Sequence, residues 1–446
     1  MSQEQLLKLW RFSKKTSSFD AFVSHTWWTP GSQKFISLLL RFYWHYAVFA
    51  VIVASTVILI MYRLDILPMP LRFTSQYVLF PRTIPCGPWA SLFAFPVSLI
   101  ALLCAPLVPC SSFDIFYDVT CIHQTDPVMR ERGIYGIGGY LTVSKELRIL
   151  WSVPYLTRLW CIFELAGYRK ANPEGKIVFQ PVMVERHFFV LWVCMYLVTC
   201  IFQFLNTGSA RGAFLIAAVV GCFALIPGIH EIRRGFQEQE HSLQNMANFD
   251  LELVSCSSDF DKRFIVAAVS QWYGSADAFT QYVRGPLRDE LVQVVAEMQA
   301  PLSYCLLAYS PIAGTLVDVL GALWLAGAPS EIMLAFVLGQ VLSSVLLTTA
   351  QLKLLFMLAR HYAQPRFASR KMDYMQTVGV SLLFLMLVAV SFVRTYLYYT
   401  FGVPGAVVCL FVIVIIFIAT FFRDLKQLWD RLRQGVLGLG LKGQSP

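Results

Sequence analysis

Charged residues are scarce in this chain of 446 residues. Asp, Glu, Lys and Arg together make up 14% of the sequence, whereas soluble domains carry roughly a quarter. Hydrophobic residues make up 57% of it, and the mean hydropathy is +0.59. This lack of charge excludes an ordinary soluble protein and indicates an integral membrane protein, with the lipid bilayer as a partner.

Zinc-binding and secretion signals are also absent. The eleven cysteines are odd in number, so no disulfide framework is predicted. They show no Cys-x-x-Cys spacing, so no zinc site is predicted and no metal is expected. The first 41 residues are polar, contain six Lys or Arg and lack the apolar region of a removable signal peptide. Six cysteines fall in apolar stretches and are expected to act as small hydrophobic residues. They are Cys104, Cys194, Cys200, Cys222, Cys305 and Cys409.

Long apolar runs dominate the sequence. A helix that crosses a bilayer needs about 20 mostly apolar residues, and eight windows satisfy this condition. They lie at 42–62, 89–109, 187–206, 212–230, 302–325, 331–352, 375–397 and 403–422. The sequence therefore predicts an α-helical multi-pass protein with eight membrane spans.

Positive charges are distributed unevenly among the connecting segments. With a cytosolic N-terminus, 31 of the 36 Lys and Arg fall in cytosolic segments. The positive-inside rule then places both termini and both larger polar segments in the cytosol. Anionic lipid on that side accounts for the net charge of +9, so no nucleic-acid partner is expected.

This topology divides the chain into seven segments. The polar segments 1–41 and 110–186 are predicted to be the two parts of one α/β module. The segment 231–301 contains amphipathic helices and is expected to pack on that module or on partners. The seven segments are 1–41, first part of the module; 42–109, first transmembrane hairpin; 110–186, second part of the module; 187–230, second hairpin; 231–301, cytosolic helical segment; 302–422, transmembrane helices five to eight; and 423–446, cytosolic tail.

Short apolar runs that end in polar residues predict buried parallel strands in the module. They lie at 20–25, 113–118, 148–151 and 177–182, and a helix is predicted over 158–170. This alternation predicts a doubly wound parallel sheet. The hairpin between the first two strands need not interrupt the sheet, because two antiparallel spans return to the same membrane face about 10 Å apart.

The run Leu159-Trp160-Cys161-Ile162-Phe163-Glu164-Leu165 resembles the start of the third helix of Toll/interleukin-1 receptor (TIR) domains. Residues 20–25 and 113–118 resemble the first two TIR strands. The resemblance implies a split TIR-like module that self-associates and serves signalling or scaffolding. Because NAD-cleaving members of the family use a glutamate in this helix, it also implies NAD hydrolysis, with Glu164 as the catalytic residue, NAD as substrate and no separate cofactor.

Polar and aromatic residues near the carboxyl ends of the predicted strands complete the candidate site, because ligands of doubly wound sheets bind there. The residues expected to contact NAD are Ser24, His25, Trp27, Asp118, His123 and Trp160. A fixed carboxylate suffices for the reaction, since nicotinamide leaves as a neutral base and the barrier lies in the oxocarbenium-like ribose.

Structural alternatives exist for these residues. The alternative for Glu164 is a helix-surface ion pair with Arg158 or Lys170, and the catalytic role is preferred. For Trp160 a place in the hydrophobic core is preferred, because Trp is highly buried on average. A metal site made from His25, Asp118, Cys121 and His123 lacks a dedicated ligand motif and is set aside.

Two charged residues fall within predicted spans, Asp318 in the fifth and Arg394 in the seventh. They are expected to pair with each other, or Arg394 is expected to reach the outer interface. Intramembrane charges also suit a solute transporter or channel with the TIR-like module as a regulatory domain, which is the alternative function. An open cleft at Glu164 favours the enzyme, an exposed loop at 119–139 over a filled cleft favours the scaffold, and a wet cavity at Asp318 and Arg394 favours transport.

Overall fold

The computed structural model describes residues 2–108, 113–206, 213–256, 258–297 and 300–441, with side chains described except at 205–224, 296–297, 424 and 427–441. The predicted role of Cys222 therefore falls outside the described side chains. The chain divides into two compact units. The sheet unit comprises residues 1–38, 109–186 and 235–298, and the helical unit comprises 39–108, 187–234 and 299–446.

Six strands form within the described ranges: β1 (Ala21–His25), β2 (Leu71–Thr74), β3 (Thr83–Cys86), β4 (Ile115–Phe116), β5 (Glu146–Trp151) and β6 (Lys176–Pro181). Four of them make one sheet in the order β4-β1-β5-β6, and every neighbouring pair is parallel. β2 and β3 form a separate antiparallel pair in a connection that the sequence analysis left without strands.

Sixteen α-helices form in the same ranges: α1 (Gln3–Trp10), α2 (Gly31–Arg63), α3 (Trp89–Cys104), α4 (Asp118–Cys121), α5 (Pro127–Tyr135), α6 (Ile137–Thr142), α7 (Leu159–Ala171), α8 (Val182–Asn206), α9 (Ala213–Asn245), α10 (Asp259–Tyr273), α11 (Ala276–Tyr282), α12 (Arg288–Glu297), α13 (Leu302–Leu325), α14 (Ser330–Phe336), α15 (Ser343–His361) and α16 (Arg370–Leu441). Short 3-10 helices occur at Ala105–Leu107, Tyr155–Thr157 and Met246–Asn248, and π-helices at Val283–Leu287 and Val337–Leu342.

The predicted pairing of residues 20–25 with 113–118 is confirmed. Ala21 pairs with Ile115 and Phe22 with Phe116, in parallel. Every residue of β1 is buried, as expected for an apolar strand between two parallel neighbours. The long apolar insertion between β1 and β4 therefore leaves their hydrogen bonding intact.

Helix α7 lies in the core of the sheet unit. The ring of Trp272, from α10, stacks on Phe163 with centroids 5.0 Å apart. Trp160 and Phe163 also contact Phe264 of α10. The segment after the second predicted hairpin thus packs on the helix that carries Glu164.

Six helices of the described residues are long and apolar enough to cross a membrane, where the sequence predicted eight spans. They are Gly31–Arg63, Trp89–Leu107, Val182–Phe204, Leu302–Leu325, Ser330–His361 and Arg370–Arg423. The predicted span 212–230 lies in α9, where the side chains are described only from residue 225 onward.

The helix α16 contains two of the predicted spans, 375–397 and 403–422. Its backbone leaves helical geometry at Gly402, where φ is 60° and ψ is −135°. The Cys409 thiol donates to the Arg394 carbonyl at 3.9 Å, although fifteen residues of straight helix would extend about 22 Å. The chain therefore reverses direction at Gly402.

Asp318 and Arg394 do not pair with each other, and that expectation was wrong. The Asp318 carboxylate accepts hydrogen bonds from the hydroxyls of Tyr62 and Ser91 at 2.7 and 2.6 Å, and from the backbone N–H groups of Ala90 and Ser91. It thereby caps the first turn of α3, whose N–H groups have no partner within the helix. The guanidinium of Arg394 is buried and donates to Oε1 of Gln340 at 2.9 Å, so it does not extend outward either.

Candidate active site

A cavity of about 700 Å³ opens in the sheet unit beside the end of β1, where ligands bind in doubly wound sheets. It is bounded by α4, α5, the first half of α7 and the start of α10. Its polar lining side chains are His25, Thr26, Asp118, Gln124, Arg130, Glu131, Arg158, Glu164, Ser258 and Asp261. Its aromatic lining side chains are Trp27, Trp160 and Phe260. The cavity therefore combines carboxyl groups, guanidinium groups and flat rings.

Glu164 reaches this cavity from α7. Its Oε2 accepts a hydrogen bond from the Ser24 hydroxyl at 2.5 Å. Burial raises the pKa of Glu164 to about 8; the Ser24 hydroxyl opposes this shift, and the negative charge of Asp118 adds to it. In the free protein at neutral pH, Glu164 is therefore mostly protonated.

The two cations considered as ion-pair partners of Glu164 make other contacts. Arg158 donates to the hydroxyl of Ser255 at 2.5 Å and stacks over the Trp28 ring at 4.4 Å. Lys170 lies over the ring of Tyr273. The negative charge of Asp118 adds to the raised pKa of Glu164, and the Glu164 carboxyl borders the cavity, where it accepts from Ser24.

Ser24 and Tyr155 connect Glu164 to the interior of the sheet unit. Ser24 lies near the carboxyl end of β1, and Tyr155 lies in the 3-10 turn before α7. Their hydroxyl oxygens are 2.6 Å apart. Both residues are buried, so the two hydroxyls form a chain that ends at the Glu164 carboxyl.

His25 and Asp118 form a second polar network at the cavity wall. His25 Nε2 lies 2.9 Å from Oδ1 of Asp118, and Nε1 of Trp27 donates to Oδ2 at 2.8 Å. The ammonium of Lys34 lies 3.3 Å from His25 Nδ1 and can only donate, so the proton on His25 is assigned to Nε2. Burial acts to raise the pKa of Asp118, but the contacts with His25 and Trp27 outweigh it and hold this pKa below its usual value.

The predicted aromatic contacts have different surroundings. Trp27 is 59% exposed and lines the cavity. Trp160 also lines the cavity, while its ring packs against Phe163 and Phe264. Trp160 therefore serves the core and the cavity wall together.

His123 lies apart from the other predicted site residues. Its Nδ1 accepts a hydrogen bond from the backbone N–H of Asp126 at 2.9 Å, and its ring contacts Trp10 at 5.1 Å between centroids. This places His123 in a turn before α5, where it holds local structure.

Within the described part of the chain, no group of three or more His, Cys, Asp and Glu has a metal-binding arrangement. Of the four residues weighed for such a site, His25 and Asp118 bond to each other. The Cys121 thiol donates instead to the Ile115 carbonyl, and His123 lies elsewhere.

Several residues of the site were missed by the sequence analysis. Tyr155 and Arg130 belong to no recognised motif, and Lys34 was treated only as part of the polar N-terminal segment. Asp261 enters from a segment without catalytic motifs. A local signal existed there, since Ser258 caps the start of α10 by accepting from the Asp261 N–H at 3.1 Å, but a cap does not reveal what the helix packs on.

The chain was compared with protein-family models, with curated proteins and with solved structures. None of the three comparisons gave a match.

Proposed function

We propose that this protein is a membrane-anchored signalling protein whose sheet unit is a TIR-like module that cleaves NAD at the nicotinamide–ribose bond. The observation that carries the proposal is the position of Glu164, whose carboxyl group borders an open cavity and is held there by Ser24. The resemblance around Trp160 and Glu164 supports the same assignment.

The cavity has groups for each part of an NAD molecule. Arg130 and Arg158 suit the diphosphate, because guanidinium groups bind phosphate oxygens in pairs. Trp27 and Trp160 offer flat faces on which a base or the nicotinamide ring stacks. This leaves Glu164 for the ribose that joins the nicotinamide.

In the reaction, the bond between C1′ of the ribose and the nicotinamide nitrogen breaks, and nicotinamide leaves with the electron pair as a neutral base. The Glu164 carboxylate stabilises the positive charge that develops on the ribose. A water oxygen then bonds to C1′ and releases one proton, which yields ADP-ribose. Only the carboxylate form acts in this way, and the cationic nicotinamide ring favours that form when NAD binds.

We also propose a finer topology of eight spans with both termini in the cytosol. The reversal at Gly402 supports two spans within α16, and the apolar first half of α9 supports another. Each of the first two hairpins has two spans and therefore returns the chain to the cytosol. The parts of the sheet unit then meet there.

The test is nicotinamide release by the purified full-length protein in lipid nanodiscs. We expect Glu164→Gln to lose about 10²-fold or more of the wild-type rate, because the amide keeps the size and loses the charge. Glu174→Gln is the matched control, since Glu174 is exposed in the same unit and lies outside the cavity lining. Release by Glu164→Gln at the wild-type rate would show that another residue carries the reaction.

Self-association as a scaffold is the second candidate function. The helix α5 exposes Val128 and Met129, at 59% and 42%, within the region 119–139. Exposed apolar side chains of this kind suit a contact with a second copy. If wild-type protein releases no nicotinamide even when clustered, the enzyme proposal fails and this surface becomes the main site. The buried, fully hydrogen-bonded Asp318 gives the transport alternative less support.

A further inference from the structure

Two buried hydroxyl groups form a chain of hydrogen bonds that ends at the Glu164 carboxyl. The Ser24 Oγ is 2.5 Å from Glu164 Oε2 and 2.6 Å from the Tyr155 hydroxyl oxygen. The Tyr155 hydroxyl is also 3.4 Å from the carbonyl oxygen of Cys161. Ser24 is 1% exposed and Tyr155 is 0% exposed, so their protons need partners within this chain.

Counting donors determines the direction of each bond. When Glu164 is ionised it can only accept, so Ser24 donates to it and Tyr155 must donate to Ser24. When Glu164 is protonated it can donate to Ser24, after which Ser24 donates to Tyr155 and Tyr155 to the Cys161 carbonyl. Every hydroxyl proton therefore has an acceptor in either state.

We propose that Ser24 and Tyr155 form a reversible hydroxyl relay that positions the Glu164 carboxyl in both its charged and its neutral form. Tyr155 is then a positioning residue that acts through Ser24 and does not contact the substrate. This inference rests on the proposed NAD cleavage for its catalytic consequence, but the relay itself is testable without NAD.

Charged and titratable groups from the neighbouring elements line the cavity that the Glu164 carboxyl borders. Its own helix and the turn before it supply Cys161 and Arg158. The other elements supply His25 from β1, Asp118 from α4, Arg130 and Glu131 from α5, and Asp261 from α10. Asp118 opposes ionisation of Glu164, whereas the Ser24 hydroxyl favours it. Tyr155 strengthens that favourable bond by fixing the Ser24 proton towards the carboxylate.

The test compares Tyr155→Phe with Tyr168→Phe in the full-length protein in nanodiscs. Tyr168 is a matched control, because it is equally buried and its hydroxyl donates to the Lys145 carbonyl at 3.0 Å, outside the relay. Ionisation of Glu164 is followed by the infrared absorption of its protonated carboxyl, identified by subtracting Glu164→Gln. We expect Tyr155→Phe to raise the titration midpoint by about one pH unit, and Tyr168→Phe to leave it unchanged.

Nicotinamide release gives a second readout. Tyr155→Phe should lower kcat severalfold near neutral pH with little change in KM, and kcat should recover above the raised midpoint, because the carboxylate is then populated without the relay. A purely structural role would not produce recovery at high pH. If Tyr155→Phe fails to fold, Ser24→Ala must show a larger upward shift. An unchanged midpoint in a folded variant overturns the relay, whereas a shifted midpoint in a protein that releases no nicotinamide supports the relay and overturns the proposed reaction.

Discussion

Glu164 combines two properties that an exposed carboxylate on a helix does not have. It borders a cavity, and its burial raises its pKa to about 8. The folded protein thus keeps a proton on this side chain at pH values where an ordinary glutamate, with a pKa of 4.5, is ionised. The same burial that makes the charge costly in the free site makes it effective once a cation is bound beside it.

This proton gives a prediction for stability. The unfolded chain loses the Glu164 proton at lower pH than the folded protein does, so the free energy of unfolding falls as the pH rises from 4.5 to about 8. The fall amounts to at most about 1.4 kcal/mol per pH unit for one group. The glutamine of Glu164→Gln cannot ionise, so we expect the free energy of unfolding of this variant not to show this decrease with pH. Above pH 8 the variant should therefore be more stable than the wild type.

Thermal unfolding of the full chain in nanodiscs at pH 5, 7 and 9 measures the effect. The exposed Glu174→Gln should keep the wild-type dependence on pH. If the stability of Glu164→Gln falls with pH as steeply as that of the wild type, Glu164 does not hold its proton in the folded state.

At the scale of elements, the reversal within α16 depends on one backbone conformation. Gly402 has φ of 60° and ψ of −135°, a combination that is essentially restricted to glycine. This conformation turns the helix back on itself, so that Cys409 meets Arg394. A continuous helix of this length would exceed the thickness of a bilayer core.

We therefore expect Gly402→Ala to destabilise the helical unit by about 1–3 kcal/mol. Gly379→Ala, in a regular part of the same helix, should be neutral or stabilising by up to about 1 kcal/mol. An added Cβ meets no atom within 4 Å at either position, so the comparison isolates backbone conformation from packing. Thermal unfolding in nanodiscs is the measurement, and equal effects of the two substitutions would contradict this account of the reversal.

At the scale of the whole molecule, a parallel sheet is assembled from strands that are separated in the chain by long apolar helices. β1 and β4 are adjacent although the helices α2 and α3 lie between them in the chain. The α10–α12 region, which follows two more apolar helices, completes the core around α7. Such an insertion is compatible with one sheet only if each hairpin returns to the side from which it left.

We expect an epitope inserted after Leu79, which is 70% exposed between the first two apolar helices, to be accessible from the non-cytosolic side. An epitope at the N-terminus should be accessible only from the cytosolic side, because Lys and Arg are concentrated in the segments predicted to be cytosolic. Antibody binding to sealed membrane vesicles of known orientation, before and after permeabilisation, distinguishes the two sides. Accessibility of both epitopes from the same side would contradict the hairpin.

The amino-acid sequence by itself determined the features that depend on local pattern. Scarce charge and long apolar runs predicted eight spans, and six helices of the described residues are long and apolar enough to cross a membrane. Short apolar runs ended by polar residues located all four strands of the parallel sheet. Both signals are local, because the hydrophobic pattern of a segment indicates whether that helix or strand is buried. The parallel direction of β1 and β4 was predicted from the alternation of strands and helices, together with the expected return of the chain to the same membrane face.

Only the tertiary structure decided which distant residues meet. Tyr155 and Ser24 are 131 positions apart, and no periodicity announces that their hydroxyls bond. Asp318 was expected to pair with Arg394, but its carboxylate caps the start of α3 instead, because unpaired N–H groups at a helix start attract a carboxylate as a guanidinium does. The local sequence pattern indicates whether a side chain is buried. Which partner that side chain contacts depends on how the elements pack, and so does the pKa of a group such as Glu164.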